Sequence, residues 1–237
     1  MTPKGVTIAL LYKAAHPHLL QPPSQRVSMK TVLCFGDSNT WGHRPDGSGR
    51  YALNEYWPGV MEAVLGDGFR VLVEGLGGRT TVHNDPIEGA HLNGLTYLVP
   101  CLASQKPADL VVIMLGTNDL KHRFGVLADD IARAAGKLVQ HVQQSDAGPQ
   151  GRAPAVLLVA PAPILEVGAV GIRFTGGQAK SRLFGATYAS AADELGCHFL
   201  NAGDHIVSSQ VDGIHLDVEA HLELGNVIAK HVREILV

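Results

Sequence analysis

The chain has 237 residues, 46% of them hydrophobic, which suits one α/β domain with a sizeable core and excludes a disordered polypeptide. Nineteen Lys and Arg against 22 Asp and Glu give a net charge of −3 with no basic block, which argues against a nucleic-acid or anionic-membrane partner. Cys34, Cys101 and Cys197 are odd in number and widely spaced, so they read as reduced, buried fillers rather than a disulfide framework.

Residues 1–28 differ in character from the rest of the chain. The apolar run Val6–Tyr12 is too short to span a bilayer. Lys4 and Lys13 flank it, but no small-residue cleavage site succeeds it. An N-terminal extension is expected here, ahead of a single domain over 29–237. No other stretch reads as a transmembrane helix, so a soluble, cytoplasmic protein is expected.

From Met29 onward, apolar runs alternate with helical patterns. Strands are expected over 31–35, 69–74, 110–115, 155–160 and 197–200, and helices over 56–65, 91–105, 125–145, 178–195 and 217–236. Such alternation predicts a mainly five-stranded parallel sheet covered on both faces, a three-layer α/β/α sandwich. The first strand breaks into Gly36-Asp37-Ser38, a tight turn that presents a serine at the end of a rigid element. The second ends in Gly75-Leu76-Gly77-Gly78, whose N–H groups a ligand can approach closely. The third ends in Gly116-Thr117-Asn118-Asp119, at the sheet edge where open α/β folds bind ligands. Late in the chain, Asp212-Gly213-Ile214-His215 sets a carboxylate three residues before an imidazole, so a loop can bring the two together. Base, orienter and nucleophile are then all available in the chain order Ser, Asp, His. Twelve histidines occur without His-Glu-x-x-His spacing, so no catalytic metal and no cofactor are expected.

These four blocks, in this order, resemble the SGNH (GDSL) hydrolase superfamily, with its flavodoxin-like sheet. The segments Gly-Asp-Ser-Asn-Thr-Trp-Gly, Glu-Gly-Leu-Gly-Gly-Arg-Thr-Thr and Val-Asp-Gly-Ile-His most resemble its bacterial arylesterase and acyltransferase subgroup. The resemblance implies a serine esterase of short-chain esters that works through an acyl-enzyme and transfers acyl groups to alcohols. It also implies homo-oligomers, octamers among them. Ser38 would be the nucleophile, His215 the general base and acid, and Asp212 the orienter. The N–H groups of Ser38 and Gly78 and the side chain of Asn118 would form the oxyanion hole, with Gly77 a neighbouring candidate.

Other residues are assigned from their chemistry. Trp41, Phe124, Phe174 and Ile214 are expected to line a mostly apolar substrate pocket. His43 is expected on an exposed loop. Asp37 and Asn39 read as turn residues, and Asp119 as a helix-capping group. The segment 161–171 could be a lid or a subunit interface.

Two other functions fit parts of the pattern. A carbohydrate O-acetyl esterase would use the same chemistry with a polar pocket, for which Arg44, Asp46 and Arg79 are the candidates. A non-catalytic nucleotide or small-molecule binding module would use Gly75-Leu76-Gly77-Gly78-Arg79-Thr80. That reading puts Thr80 where the dinucleotide fingerprint needs Gly or Ala, and leaves Ser38, Asp212 and His215 without a role.

Overall fold

The computed structural model describes residues 29–237, so the extension expected over 1–28 lies outside the described residues. Five parallel strands form one sheet in the order β2-β1-β3-β4-β5. They are β1 (Lys30–Gly36), β2 (Phe69–Gly75), β3 (Leu110–Met114), β4 (Ala155–Ala160) and β5 (His198–Asn201). The three central strands are short runs of β-branched and aliphatic residues that are almost wholly buried, as a sheet covered on both faces requires.

Alternation along β1 feeds two cores. Leu33 and Phe35 join Val111 and Ile113 on one face, under α3 (Gly94–Gln105), α4 (Ala128–Gln143) and α5 (Phe184–Leu195). Val32 and Cys34 join Leu110 and Val112 on the other, under α2 (Trp57–Leu65) and α6 (Val218–Leu236). Each core is continuous across the sheet, so both layers of helices are held by apolar burial worth roughly 25 cal/mol per Å². Cys34 and Cys101 are buried, Cys197 is half-buried, and all three are free thiols.

The expected elements are present with small shifts at their ends. One helix differs: the pattern over 178–195 is split into Gly177–Ser181 and α5. The break is tertiary in origin. The Ser181 hydroxyl donates to Gln178 O at 2.9 Å and accepts from Ile164 N at 3.0 Å, tying the first piece to the segment after β4. Among the described residues, no helix is long and apolar enough to cross a membrane.

Because all five strands are parallel, their C-terminal ends share one edge of the sheet. The turns after β1, β2 and β3 therefore meet there, and the loop before α6 returns to the same edge.

Candidate active site

The turn that carries Ser38 is built from the end of β1. Asp37 caps the short helix α1 (Ser38–Trp41), its carboxylate accepting the Asn39 N–H at 2.9 Å. Burial pushes the Asp37 carboxyl up to about 6, with the Asn39 N–H and the positive groups nearby acting against that rise. Ser38 opens the helix, so its side chain is fixed by the strand behind it.

The histidine loop folds as a tight turn around Asp212. One carboxylate oxygen accepts the N–H groups of Ile214 at 2.9 Å and His215 at 3.0 Å. Gly213 has φ of 77°, and a Cβ there would lie 2.1 Å from Leu165 O. Only glycine satisfies both the left-handed backbone and the close approach. The turn points the second Asp212 oxygen at His215 Nδ1, with which it is hydrogen-bonded. The opposite ring nitrogen, Nε2, stands 3.0 Å from Ser38 Oγ. Burial raises the Asp212 carboxyl, but the His215 ring N–H and the two backbone donors outweigh it and hold the group below its ordinary value. An ionised Asp212 fixes the proton on Nδ1 and leaves Nε2 free to accept the serine proton.

A second set of groups faces Ser38. Gly78 has φ of 80°, and its N–H, like that of Ser38, has no acceptor among the described residues. Asn118 is buried, and its amide nitrogen donates to Arg79 O at 3.1 Å, which orients the side chain. Asp119, expected as a helix cap, makes no capping bond and has a different task. Buried completely, it accepts from Thr81 N at 3.0 Å, Thr81 Oγ1 at 2.6 Å and His83 Nδ1 at 2.8 Å. That contact ties the loop after β3 to the loop after β2, and so Asn118 to Gly78. The Asp119 carboxylate in turn raises the pKa of His83.

Ser38, Gly77, Gly78, Asn118 and His215 line one cavity of about 200 Å³. Phe174 and Ile214 line it too, together with Val170 from the segment after β4. Trp41 and Phe124 do not. Trp41 lies under the Arg50 guanidinium, 5.0 Å from its ring centre, because Gly42 turns the chain through a left-handed conformation directly afterwards. Phe124 packs on His83 with ring centres 5.5 Å apart.

The polar groups at the cavity also differ from those expected. Arg79 is buried beneath the site, donating to Gly36 O at 2.8 Å and lying over the Phe35 ring at 4.3 Å. Arg44 is paired with Glu55 at 3.1 Å, and Asp46 accepts from Ser48 N. In their place the cavity is lined by His43, Glu88, Lys121 and Arg173. His43 is half-buried, not exposed. Its N–H donates to Ser38 O at 3.0 Å, and a bridge to Arg50 turns the chain back over the site.

Lys121 Nζ lies 2.9 Å from Glu88 Oε2 and 3.6 Å from Asp85 Oδ2, and Arg123 reaches both carboxylates. No sequence pattern marks this cluster, whose members come from separate loops. Among the described residues, no three His, Cys, Asp or Glu side chains are grouped to hold a metal ion.

Comparison with known proteins places this arrangement. The profile of the GDSL-like lipase/acylhydrolase family matches residues 34–222. The solved structure of Est24, a carbohydrate acetylesterase from Sinorhizobium meliloti, is 43% identical, with 87% of this chain and 100% of that one covered at a TM-score of 0.83. The native aryl esterase of M. smegmatis is 40% identical over 87% of this chain and 100% of its own, at a TM-score of 0.82. A carbohydrate acetylesterase family member from Sinorhizobium meliloti is 38% identical over 88% and 99% of the two chains, at a TM-score of 0.83. No curated protein matches the chain.

Proposed function

Because this chain belongs to the GDSL-like lipase/acylhydrolase family and is an esterase, we propose that it hydrolyses short-chain carboxylic esters through an acyl-enzyme on Ser38. The observation that carries the reading is the relay in which Ser38 Oγ lies 3.0 Å from His215 Nε2, whose Nδ1 is bonded to Asp212.

In the first half-reaction, His215 Nε2 takes the Ser38 proton as Oγ attacks the ester carbonyl carbon. The oxyanion is held by the N–H groups of Ser38 and Gly78 and by the Asn118 amide. His215 then returns the proton to the alcohol oxygen as the carbon–oxygen bond breaks, leaving acyl-Ser38. In the second half, His215 takes a proton from water as the water oxygen attacks the acyl carbon. The resulting oxyanion collapses with cleavage of the carbon–Oγ bond, His215 returns the proton to Ser38 Oγ, and the carboxylic acid leaves. An alcohol in place of water gives acyl transfer by the same steps.

The cavity supports a short acyl group. Its volume of about 200 Å³ lies below the roughly 300–1,000 Å³ of sites that enclose drug-sized ligands. Turnover of p-nitrophenyl acetate, butyrate and octanoate tests this. kcat/KM is expected to fall steeply from acetate to octanoate, and a rise with chain length would contradict the reading.

A second reading, a carbohydrate O-acetyl esterase, is favoured by the polar groups His43, Glu88, Lys121 and Arg173 at the cavity. One of the similar structures is a carbohydrate acetylesterase and another is a carbohydrate acetylesterase family member. The chain also assembles as a homo-oligomer in this proposal. Ile172 is 75% exposed beside the cavity-lining Arg173, and Leu183 is 55% exposed, apolar surface that association would cover. Light scattering on the purified protein checks the oligomeric state.

A further inference from the structure

His43 is the feature of the cavity that the hydrolytic relay leaves without a task. Its ring centre lies 4.3 Å from that of His215, with the two planes inclined by 51°. Its backbone is anchored on both sides, by the N–H bond to Ser38 O and by the bridge to Arg50, whose Nε donates to Trp41 O at 2.7 Å. The imidazole is therefore presented to the cavity on a firm mount.

Most other polar side chains around the cavity are already engaged. Lys121 and Glu88 are paired with each other, and Asn118 donates to Arg79 O. Arg173 is exposed, on a long and flexible stem. Neither ring nitrogen of His43 has a hydrogen-bond partner among the described residues.

The relay also fixes which part of an ester His43 would meet. His215 Nε2 must deliver its proton to the oxygen of the departing alcohol, so the alcohol half lies on the His215 side of the scissile bond. The carbonyl oxygen lies on the other side, toward Gly78 and Asn118. His43 packs against His215, and hence beside the alcohol half. Burial, then the neighbouring His215, hold the His43 pKa below its ordinary value, while Asp212 and Asp46 act the other way. A neutral imidazole offers one donor and one acceptor, which matches a hydroxyl group better than an anion or a cation.

We infer that His43 is a specificity-determining residue that hydrogen-bonds a hydroxyl on the alcohol half of the ester, so that the site favours acyl esters of polyols over those of simple alkanols. This rests on the proposed Ser38 esterase and adds a substrate class to it.

The test uses two esters with the same number of heavy atoms, 2-hydroxyethyl acetate and propyl acetate, which differ by one hydroxyl in place of a methyl. The ratio of their kcat/KM values is measured for wild type, His43→Phe, His43→Leu and His43→Gln. Replacing His43 by Phe or Leu is expected to lower the hydroxyethyl-to-propyl ratio by about three- to tenfold, the size of one neutral hydrogen bond. His43→Gln, which keeps a donor and an acceptor, is expected to restore part of it. A ratio that is the same in wild type and in whichever of the Phe and Leu variants folds would overturn the inference. Hydrolysis of both esters by wild type and of neither by Ser38→Ala keeps the serine mechanism standing whichever way the ratio moves.

Discussion

The Asn39 side chain brackets His215. Its amide nitrogen donates to Ile214 O at 3.2 Å and its amide oxygen accepts from Leu216 N at 3.2 Å, one residue to either side of the imidazole. The residue directly after the serine therefore positions the loop that carries His215, across 175 residues of chain. Read from sequence, Asn39 is a turn residue; in the structure it is the staple between two halves of the relay.

Asn39→Ala should accordingly lower kcat far more than it raises KM, by roughly ten- to a hundredfold, since a small misplacement of a catalytic group is costly. Losing the two hydrogen bonds also leaves Ile214 O and Leu216 N buried without these partners, a cost of about 1–3 kcal/mol per group. Steady-state kinetics with a denaturant titration checks both. An unchanged kcat would remove Asn39 from the positioning role.

The relay predicts an order among its members. Ser38→Ala and His215→Ala should abolish measurable turnover while leaving the far-UV circular dichroism spectrum intact. Asp212→Asn should retain more activity than either, as in other hydrolases where losing the orienter costs about 10⁴ and losing nucleophile or base about 10⁶. Equal residual activity in all three variants would contradict the separate role of Asp212.

Asp119 is expected to act on the oxyanion side without touching substrate. Asp119→Ala leaves Thr81 N and Thr81 Oγ1 without their acceptor and unties the Gly78 loop from Asn118. A fall in kcat of about a hundredfold, comparable to losing one oxyanion donor, is expected alongside lowered thermal stability. Asp119→Asn, which keeps one acceptor oxygen, should recover part of both. If Asp119→Ala loses stability but keeps full kcat, the link to the oxyanion hole is wrong.

His221 makes folding stability depend on pH. It is fully buried, and its Nδ1 accepts the Trp57 N–H at the start of α2 at 3.3 Å. Burial, followed by the charge of His215, lowers its pKa from 6.5 to about 3. The unfolded chain thus binds a proton that the folded chain refuses between those values. Stability contributed by the neutral ring is present above pH 6.5 and is lost as pH falls toward 3. Asp37 acts in the opposite sense, because its raised carboxyl costs stability as pH climbs from 3.8 through about 6. Comparing wild type with His221→Asn cancels that contribution and keeps an acceptor near the Trp57 N–H. The drop in Tm between pH 7 and pH 4.5 should be smaller in the variant, and an identical drop in both would contradict the assignment.

The sheet is legible because most of its strands are short apolar runs, and three of the four polar blocks sit at the ends of β1, β2 and β3, with the fourth in the loop before α6. Residues whose task depends on distant partners are not. The break at Ser181 requires Ile164, which no local pattern reveals. Trp41 follows the serine turn, yet a left-handed Gly42 and the cation of Arg50 keep it away from the cavity. His43 reads as an exposed loop histidine until the contact with His215 is seen. Glu88 and Lys121 come from separate loops and meet only in three dimensions, so the charged side of the cavity has no local signature.

Catalysis by this chain stands or falls with Ser38 as the nucleophile, and mass spectrometry of the intact protein after treatment with an organophosphate ester tests this most directly. A single adduct on Ser38, with p-nitrophenyl acetate turnover lost in proportion to labelling, is the predicted result. Inactivation with the adduct on another residue, or turnover by Ser38→Ala equal to wild type, would contradict it.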